Sequence, residues 1–280
     1  MGLATASPEI SVNVASVAFG WPDLGLGAAL GSNVPALPLI ITLSYLSTRF
    51  PRSGGTGPAD PPPPRVQPDA VPVQVVPYIL VLLLLAVLTI PPWWSGLQPI
   101  DGMILAGAFG LYLAYVFRQT RPEDSSPVLD CNVRRALIGL PAIALGALGS
   151  VIAARNLTDA LGISDLIGGL FIIGFLCALP ESFAAWKLTR DRKTTTAVSG
   201  AVADGIVSLT LALLPPAFVG TAVGNMWVYG INLAFLLIAL AVYMILNHRG
   251  RGQELGLGRV SFYLSAYGAY VLATIFVLNR

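Results

Sequence analysis

Apolar residues along this chain run in long blocks instead of alternating with polar ones. Nine blocks stand out, at roughly 2–19, 24–48, 72–91, 102–117, 136–154, 166–188, 197–219, 224–247 and 260–278. Most are about 20 residues long, the length a helix needs to cross a hydrocarbon core about 30 Å thick. A transmembrane β-barrel would show short alternating segments instead. The pattern therefore predicts an all-α membrane protein of about nine spans. The first block begins at Met1 with no charged n-region, so it does not read as a signal peptide. Between the second and third blocks, the loop 49–71 carries the run Pro61 to Pro64. Such composition gives an extended spacer and not a folded domain.

Composition supports the same class. Of 280 residues, 55% are hydrophobic and 11% charged, against about a quarter charged in soluble proteins. So few charges could not cover a soluble core of this size. The net charge of +2 is small and the basic residues are scattered, which points away from nucleic acid. The two cysteines, Cys131 and Cys177, are too few for a disulfide framework and lack metal-ligand spacing.

The placement of basic residues orders the loops. Fourteen of the 16 lysines and arginines fall in or beside alternate loops, those between spans two and three, four and five, six and seven, and eight and nine. The exceptions are Arg155 and Arg280. Cytoplasmic loops carry such an excess, so those loops are expected inside and the C-terminus outside. Trp21, Trp93, Trp94 and Trp227 sit at the opposite span ends, where aromatic belts form.

Two segments 172 residues apart resemble each other. The first reads Ala4-Thr5-Ala6-Ser7-Pro8-Glu9, followed later by Gly31-Ser32-Asn33. The second reads Cys177-Ala178-Leu179-Pro180-Glu181, followed by Gly200-Ala201-Val202-Ala203-Asp204-Gly205. Glu9 and Glu181 lie on spans one and six. Five crossings separate them, so the two helices should run in opposite directions. This is the inverted-repeat plan of many secondary transporters, whose ion sites lie near the midplane on broken helices.

A carboxylate in the bilayer core costs at least about 2.5 kcal/mol, so it must face protein, water or an ion. Proline just before it removes a backbone donor and frees a carbonyl one turn earlier. Pro8 and Pro180 are thus expected to break their helices beside Glu9 and Glu181. Carboxylate and carbonyl oxygens together suit a hard cation such as Ca²⁺ or Na⁺. Thr5 shares a helix face with Glu9, whereas Cys177, at the equivalent place before Glu181, is a poorer ligand. Asp204 is the third acidic residue within a span. Small residues around it, and Gly31 and Gly200 in particular, are expected to let helices pack closely. Asp23, Asp101, Asp159, Asp165 and Asp191 read as solvated loop or span-edge residues.

These residues are similar to the signature repeats of the calcium/cation antiporter superfamily, which includes the sodium/calcium exchangers. There a Gly-Thr-Ser-x-Pro-Glu helix precedes a helix containing Gly-Ser-Asn. Ala4 to Glu9 and Gly31-Ser32-Asn33 resemble the first repeat, and Cys177 to Glu181 the second, with Thr and Ser replaced. The resemblance implies an inverted-repeat transporter bundle, with a first repeat over 1–117, a cytoplasmic linker over 118–134 and a second repeat over 135–280. It implies that Glu9 and Glu181 hold the cation as metal-binding carboxylates, with Thr5 and Ser32 as further oxygen donors; Asp204 is expected to join them as a third metal-binding carboxylate that adds negative charge.

The chain departs from the family pattern where an Asn or Asp usually lies one turn after the serine, having Ala36 and Ser208. Asp204 occupies the second serine place. Family members have ten spans, five per repeat, so a truncated or mis-started N-terminus is expected. The function this implies is antiport of Ca²⁺ against Na⁺ or H⁺ by alternating access in a plasma membrane, with no catalytic residues and no cofactor. The alternatives are a proton-coupled transporter of another solute, or a degenerate membrane scaffold that has lost transport. The partners expected are the lipid bilayer and small inorganic cations; the oligomeric state is left open.

Overall fold

The computed structural model describes residues 5–50, 63–91, 96–119, 133–248 and 254–278. Trp93, Trp94, Cys131, Pro61 and Pro62 lie outside them. The described chain is almost wholly helical: α1 (Ser7–Ala18), α2 (Pro22–Arg49), α3 (Ala70–Thr89), α4 (Pro99–Gln119) and α5 (Val133–Leu161). Then follow α6 (Asp165–Arg190), α7 (Thr194–Ser208), α8 (Leu214–Phe218), α9 (Met226–His248) and α10 (Leu257–Leu278).

Among the described residues, seven helices are long and apolar enough to cross a membrane. The seventh block, expected as a full span, holds a shorter helix, and the first block is described only from residue 5. α1 has 12 described residues and α7 has 15, about 18 and 23 Å of helix. The seventh block divides because α7 stops at Ser208 and a turn over 209–213 leads into α8, which opens Leu214-Pro215-Pro216. Pro215 and Pro216 lie in the first turn of α8, where their missing N–H groups cost little, so a new helix opens there.

α2 is the axis of the bundle. Its apolar window is 94% buried, whereas those of α4, α5 and α10 are 17–22% buried. Those perimeter helices present Leu111, Phe117, Leu145 and Leu272 outward, as a lipid-facing surface should. α2 lies parallel to α6 along its whole length. Gly27 meets Leu166, Gly31 meets Leu170, and Thr189 donates a hydrogen bond to Ser44 at 3.0 Å.

Loop contacts sort the helix ends into two faces. On one, Leu97 N–H donates to the Thr221 carbonyl at 2.8 Å and Gly224 lies beside Asp23. On the other, Arg65 pairs with Glu254, Leu255 N–H donates to the Pro64 carbonyl at 2.8 Å, and Gln67 N–H donates to Thr195 at 3.0 Å. These are the alternate loops that the basic residues separate. Asp101 departs from its expected solvation: it is buried at the start of α4, where its carboxylate accepts from Gln98 N–H at 2.7 Å.

The two carboxylate-bearing hairpins share one register. α1 ends at Ala18 and α2 begins at Pro22; α6 ends at Arg190 and α7 begins at Thr194, each boundary 172 residues from its counterpart. Both turns have the same backbone bonds. Trp21 N–H donates to Ser16 O and Gly20 N–H to Val17 O; Lys193 N–H donates to Leu188 O and Arg192 N–H to Thr189 O. This is the Schellman closure, which needs a left-handed residue just past the helix. Gly20 (φ +78°) takes that conformation freely, and Arg192 (φ +60°) takes it as a non-glycine residue. α1 ends on the Asp23 face and α6 on the Thr195 face, so these two helices run in opposite directions.

Candidate cation site

Four helices bring the sequence-predicted site residues together in the interior. α1 supplies Glu9, fully buried, and the residues just before it include Thr5. α2 supplies Ser32, α6 supplies Cys177 and Glu181, and α7 supplies Asp204 and Ser208, all buried. Ser32 lies beside the Glu9 carboxyl. Glu181 and Asp204 meet side chain to side chain, with Thr5 and Ser208 also on Asp204. The Ser208 hydroxyl donates to Asp204 Oδ2 at 3.4 Å. Glu9 is an electrostatic neighbour of both other carboxyl groups.

The oxygens of this cluster are incompletely satisfied. Among the described residues, Glu9 Oε1 and Oε2, Glu181 Oε1 and Asp204 Oδ1 are buried without a hydrogen-bond partner. A buried acceptor left unpaired costs about 1–3 kcal/mol, and more when charged, so native proteins hold few of them. Four in one cluster, on helices that pack together, form a surface lined with acceptors and suited to a hard cation.

The serine hydroxyls, unlike those carboxylate oxygens, each have a backbone partner. Ser32 Oγ donates to the Ala29 carbonyl at 3.3 Å, the long bond of a group that can turn away, and Ser182 Oγ donates to Ala178 O at 2.8 Å. Each serine keeps its oxygen lone pairs for another partner. Cys177 is buried with the three carboxylates around it, so the repeat-equivalent of Thr5 does face the cluster, with sulfur where the first repeat has a hydroxyl.

The backbones approach closely because glycines meet at the α2–α6 crossing. A Cβ on Gly31 would stand 2.2 Å from Leu170 O, and one on Gly174 would stand 2.5 Å from the Gly31 carbonyl carbon. This crossing sets Ser32, the residue after Gly31, against α6.

Several expectations need correction. A Cβ on Gly200 would meet nothing within 4 Å. The close approach in α7 falls instead on Gly205, where a Cβ would lie 2.5 Å from Asn33 Oδ1 and from Tyr78 OH. Pro180 does not break its helix: Gly174–Arg190 is continuous through it. Neighbouring helices let such a proline sit within a span. The irregular turn of α6 lies earlier, as a π-helical segment at Gly169–Ile173, where Gly169 and Gly174 pack against α2. Pro8 lies in the first turn of α1, where a missing N–H costs little. The three carboxylates are neighbours, but among the described residues no three His, Cys, Asp or Glu side chains close into a metal-holding group. Any cation here must draw on hydroxyl or carbonyl oxygens as well.

Sequence reasoning missed three buried polar residues at this site. Asn13, one turn past Glu9, donates Nδ2–H to the Glu9 carbonyl at 2.9 Å, and its Oδ1 is unpaired. Its spacing of four from Glu9 was a usable signal. Asn33 donates to the Ala29 carbonyl at 2.6 Å and accepts from the Tyr78 hydroxyl at 2.5 Å. Tyr78 stands in the otherwise apolar run of α3, and nothing in its sequence context marks it.

Comparison with known proteins places this architecture. Residues 1–118 match the sodium/calcium exchanger protein family. An uncharacterized membrane protein of Methanocaldococcus jannaschii is 22% identical over 277 residues, covering 95% of this chain and 83% of that protein. Inner membrane protein YrbG of Escherichia coli is 24% identical over 272 residues, covering 90% of this chain and 78% of that one. Structures of the sodium-calcium exchanger NCX_Mj share the fold over 97% of this chain. With 2.5 mM Na⁺ and 0.1 mM Sr²⁺ the TM-score is 0.66 at 19% identity over 84% of that chain; with 100 mM Na⁺ and 10 mM Sr²⁺ it is 0.64 at 19% identity over 83%. The family match over the first 118 residues and the fold shared with NCX_Mj thus agree with the repeat motifs: this chain, with its long apolar helices, is similar to the sodium/calcium exchangers in its first part and shares their fold over nearly its whole length.

Proposed function

We propose that this protein exchanges Ca²⁺ against Na⁺ or H⁺ across a plasma membrane by alternating access. The cation is bound by Glu9 and Glu181, with Asp204 adding charge and Thr5 and Ser32 adding oxygens. The observation that carries this reading is the set of four unpaired, buried carboxylate oxygens on Glu9, Glu181 and Asp204, held by two hairpins of opposite direction and matching register. The hairpins belong to two inverted repeats, over 1–117 and 135–280, joined by a cytoplasmic linker over 118–134. The basic loops face the cytoplasm and the C-terminus lies outside.

Coupling on this reading needs no covalent chemistry. A divalent cation and its counter-ion compete for the same carboxylates, and an empty site keeps the cost of unneutralised buried charge. The loaded site therefore reorients more readily than the empty one.

The test is ⁴⁵Ca²⁺ uptake into proteoliposomes under an outward Na⁺ gradient and, separately, an outward H⁺ gradient, with Glu181→Gln as control. Uptake that needs one gradient and is lost in the variant supports the proposal and names the counter-ion. No uptake under either gradient, from protein that is folded and inserted, refutes the Ca²⁺ assignment.

A further inference from the structure

Tyr78 belongs to α3, outside both carboxylate hairpins, yet its side chain ends between them. The phenol is buried, its hydroxyl donates to Asn33 Oδ1 at 2.5 Å on α2, and its tip packs against Gly205 on α7. Glu181 and Asp204 are its electrostatic neighbours. Asn33 and Gly205 are themselves 172 residues apart, so they are equivalent positions in the two hairpins. Each directly follows one residue of the candidate cation site, Ser32 in the first hairpin and Asp204 in the second. One phenol thus occupies the junction where two equivalent positions meet, and it treats them differently: it hydrogen-bonds one and packs against the other.

The space around this contact is nearly closed. A cavity of about 10 Å³, measured by the positions open to a water centre, is lined by Asn33, Ala36, Leu37, Tyr78 and apolar residues of α7 and α9. That volume is at the lower limit for one water, which would also need two to four polar partners. Its polar lining residues, Asn33 and Tyr78, already pair with each other. The Asn33 amide is fixed at both ends, because its Nδ2–H donates to Ala29 O. Reversing the amide would set its oxygen against that carbonyl and its NH₂ against the phenol.

We propose that Tyr78 is a positioning residue that sets the separation of Ser32 from Asp204, and through it the cation size the site prefers; this rests on the antiporter reading above. A rigid ring pinned at its hydroxyl and wedged at its edge keeps α2 and α7 at one spacing. Removing the hydroxyl leaves ring volume in place but frees Asn33 to turn, so the spacing relaxes without a large cavity.

The test measures uptake of ⁴⁵Ca²⁺ and ⁸⁵Sr²⁺ into proteoliposomes by wild type, Tyr78→Phe, Asn33→Ala and the double variant. Thermal unfolding of each variant in detergent runs alongside. The expected result is a shift in the Ca²⁺/Sr²⁺ ratio of apparent affinities for either single variant, with a ceiling of roughly fivefold set by the worth of one typical hydrogen bond. The double variant should shift the ratio no further than Asn33→Ala alone, because both substitutions remove the Tyr78–Asn33 bond. A structural role alone would lower uptake of both ions equally. Wild-type uptake with an unchanged ratio in both single variants overturns the role of Tyr78 and leaves the antiporter reading standing. Absence of cation-dependent uptake by wild type overturns both.

Discussion

Gly31→Ala places a methyl group where the structure has no room. Its Cβ would stand 2.2 Å from Leu170 O, 2.5 Å from Leu170 Cα and 2.7 Å from Leu170 C, all backbone atoms. Comfortable contacts lie near 3.5 Å, so α2 and α6 must part by about 1 Å where they cross. Rotamer changes cannot relieve this, because Leu170 meets the new methyl with its main chain. Overpacking of this kind costs about 1–3 kcal/mol, against a gain of about 1 kcal/mol from replacing glycine within a helix. Gly200→Ala is the control. It carries the same propensity gain and its Cβ meets nothing within 4 Å, so it should unfold at the wild-type temperature or above. The assay is thermal unfolding in detergent, followed by intrinsic tryptophan fluorescence. Gly31→Ala should unfold clearly below Gly200→Ala, and its cation-dependent uptake should fall because Ser32 moves with the crossing. Equal unfolding temperatures and equal uptake for the two variants would refute the claim that this crossing sets the site.

Glu9→Gln and Glu181→Gln should each abolish cation-driven uptake while leaving the protein folded, because the amide keeps the shape and removes the charge; wild-type flux in either would remove that residue from the site. Cys177→Ser should raise apparent Ca²⁺ affinity, because a hydroxyl is the better partner for a hard cation and Cys177 is buried among the carboxylates; a fall in affinity measured by uptake would argue that the sulfur only packs. Arg155 pairs with Asp165 and Asp159 and stacks over Trp21 at 5.7 Å. All three ion-pair partners are partly exposed, so Arg155→Leu should cost at most about 1 kcal/mol, and a larger loss in detergent unfolding would show that this cluster holds α5 against α6.

Much of the candidate site was legible because membrane insertion makes acidic residues stand out. An acidic residue inside an apolar block is conspicuous where every neighbour is apolar, and its cost demands a partner. Glu9, Glu181 and Asp204 could therefore be named from their positions, and the 172-residue offset joined them before any contact was known. The basic loops likewise sorted themselves into alternating sides, since positive charge crosses a bilayer poorly during insertion. The helix breaks were read less well. Proline within a soluble helix interrupts it, yet α6 runs through Pro180 because surrounding helices hold it. Its irregular turn lies at Gly169–Ile173, where glycines press against α2.

From sequence alone came the helical membrane class, the order of the apolar blocks, the 172-residue match and the acids within those blocks, because each depends on residues read against the bilayer or against a copy of themselves. Only the tertiary structure decided which glycine is pressed by a neighbour, Gly31 and Gly205 but not Gly200. It alone showed Asp101 buried, and Tyr78 reaching from α3 to the junction of two hairpins. Those facts belong to pairs of residues far apart in the chain, Tyr78 with Asn33 and Gly205, or Gly31 with Leu170. An apolar helix presents side chains on every face, and nothing in its own sequence says which face meets which neighbour.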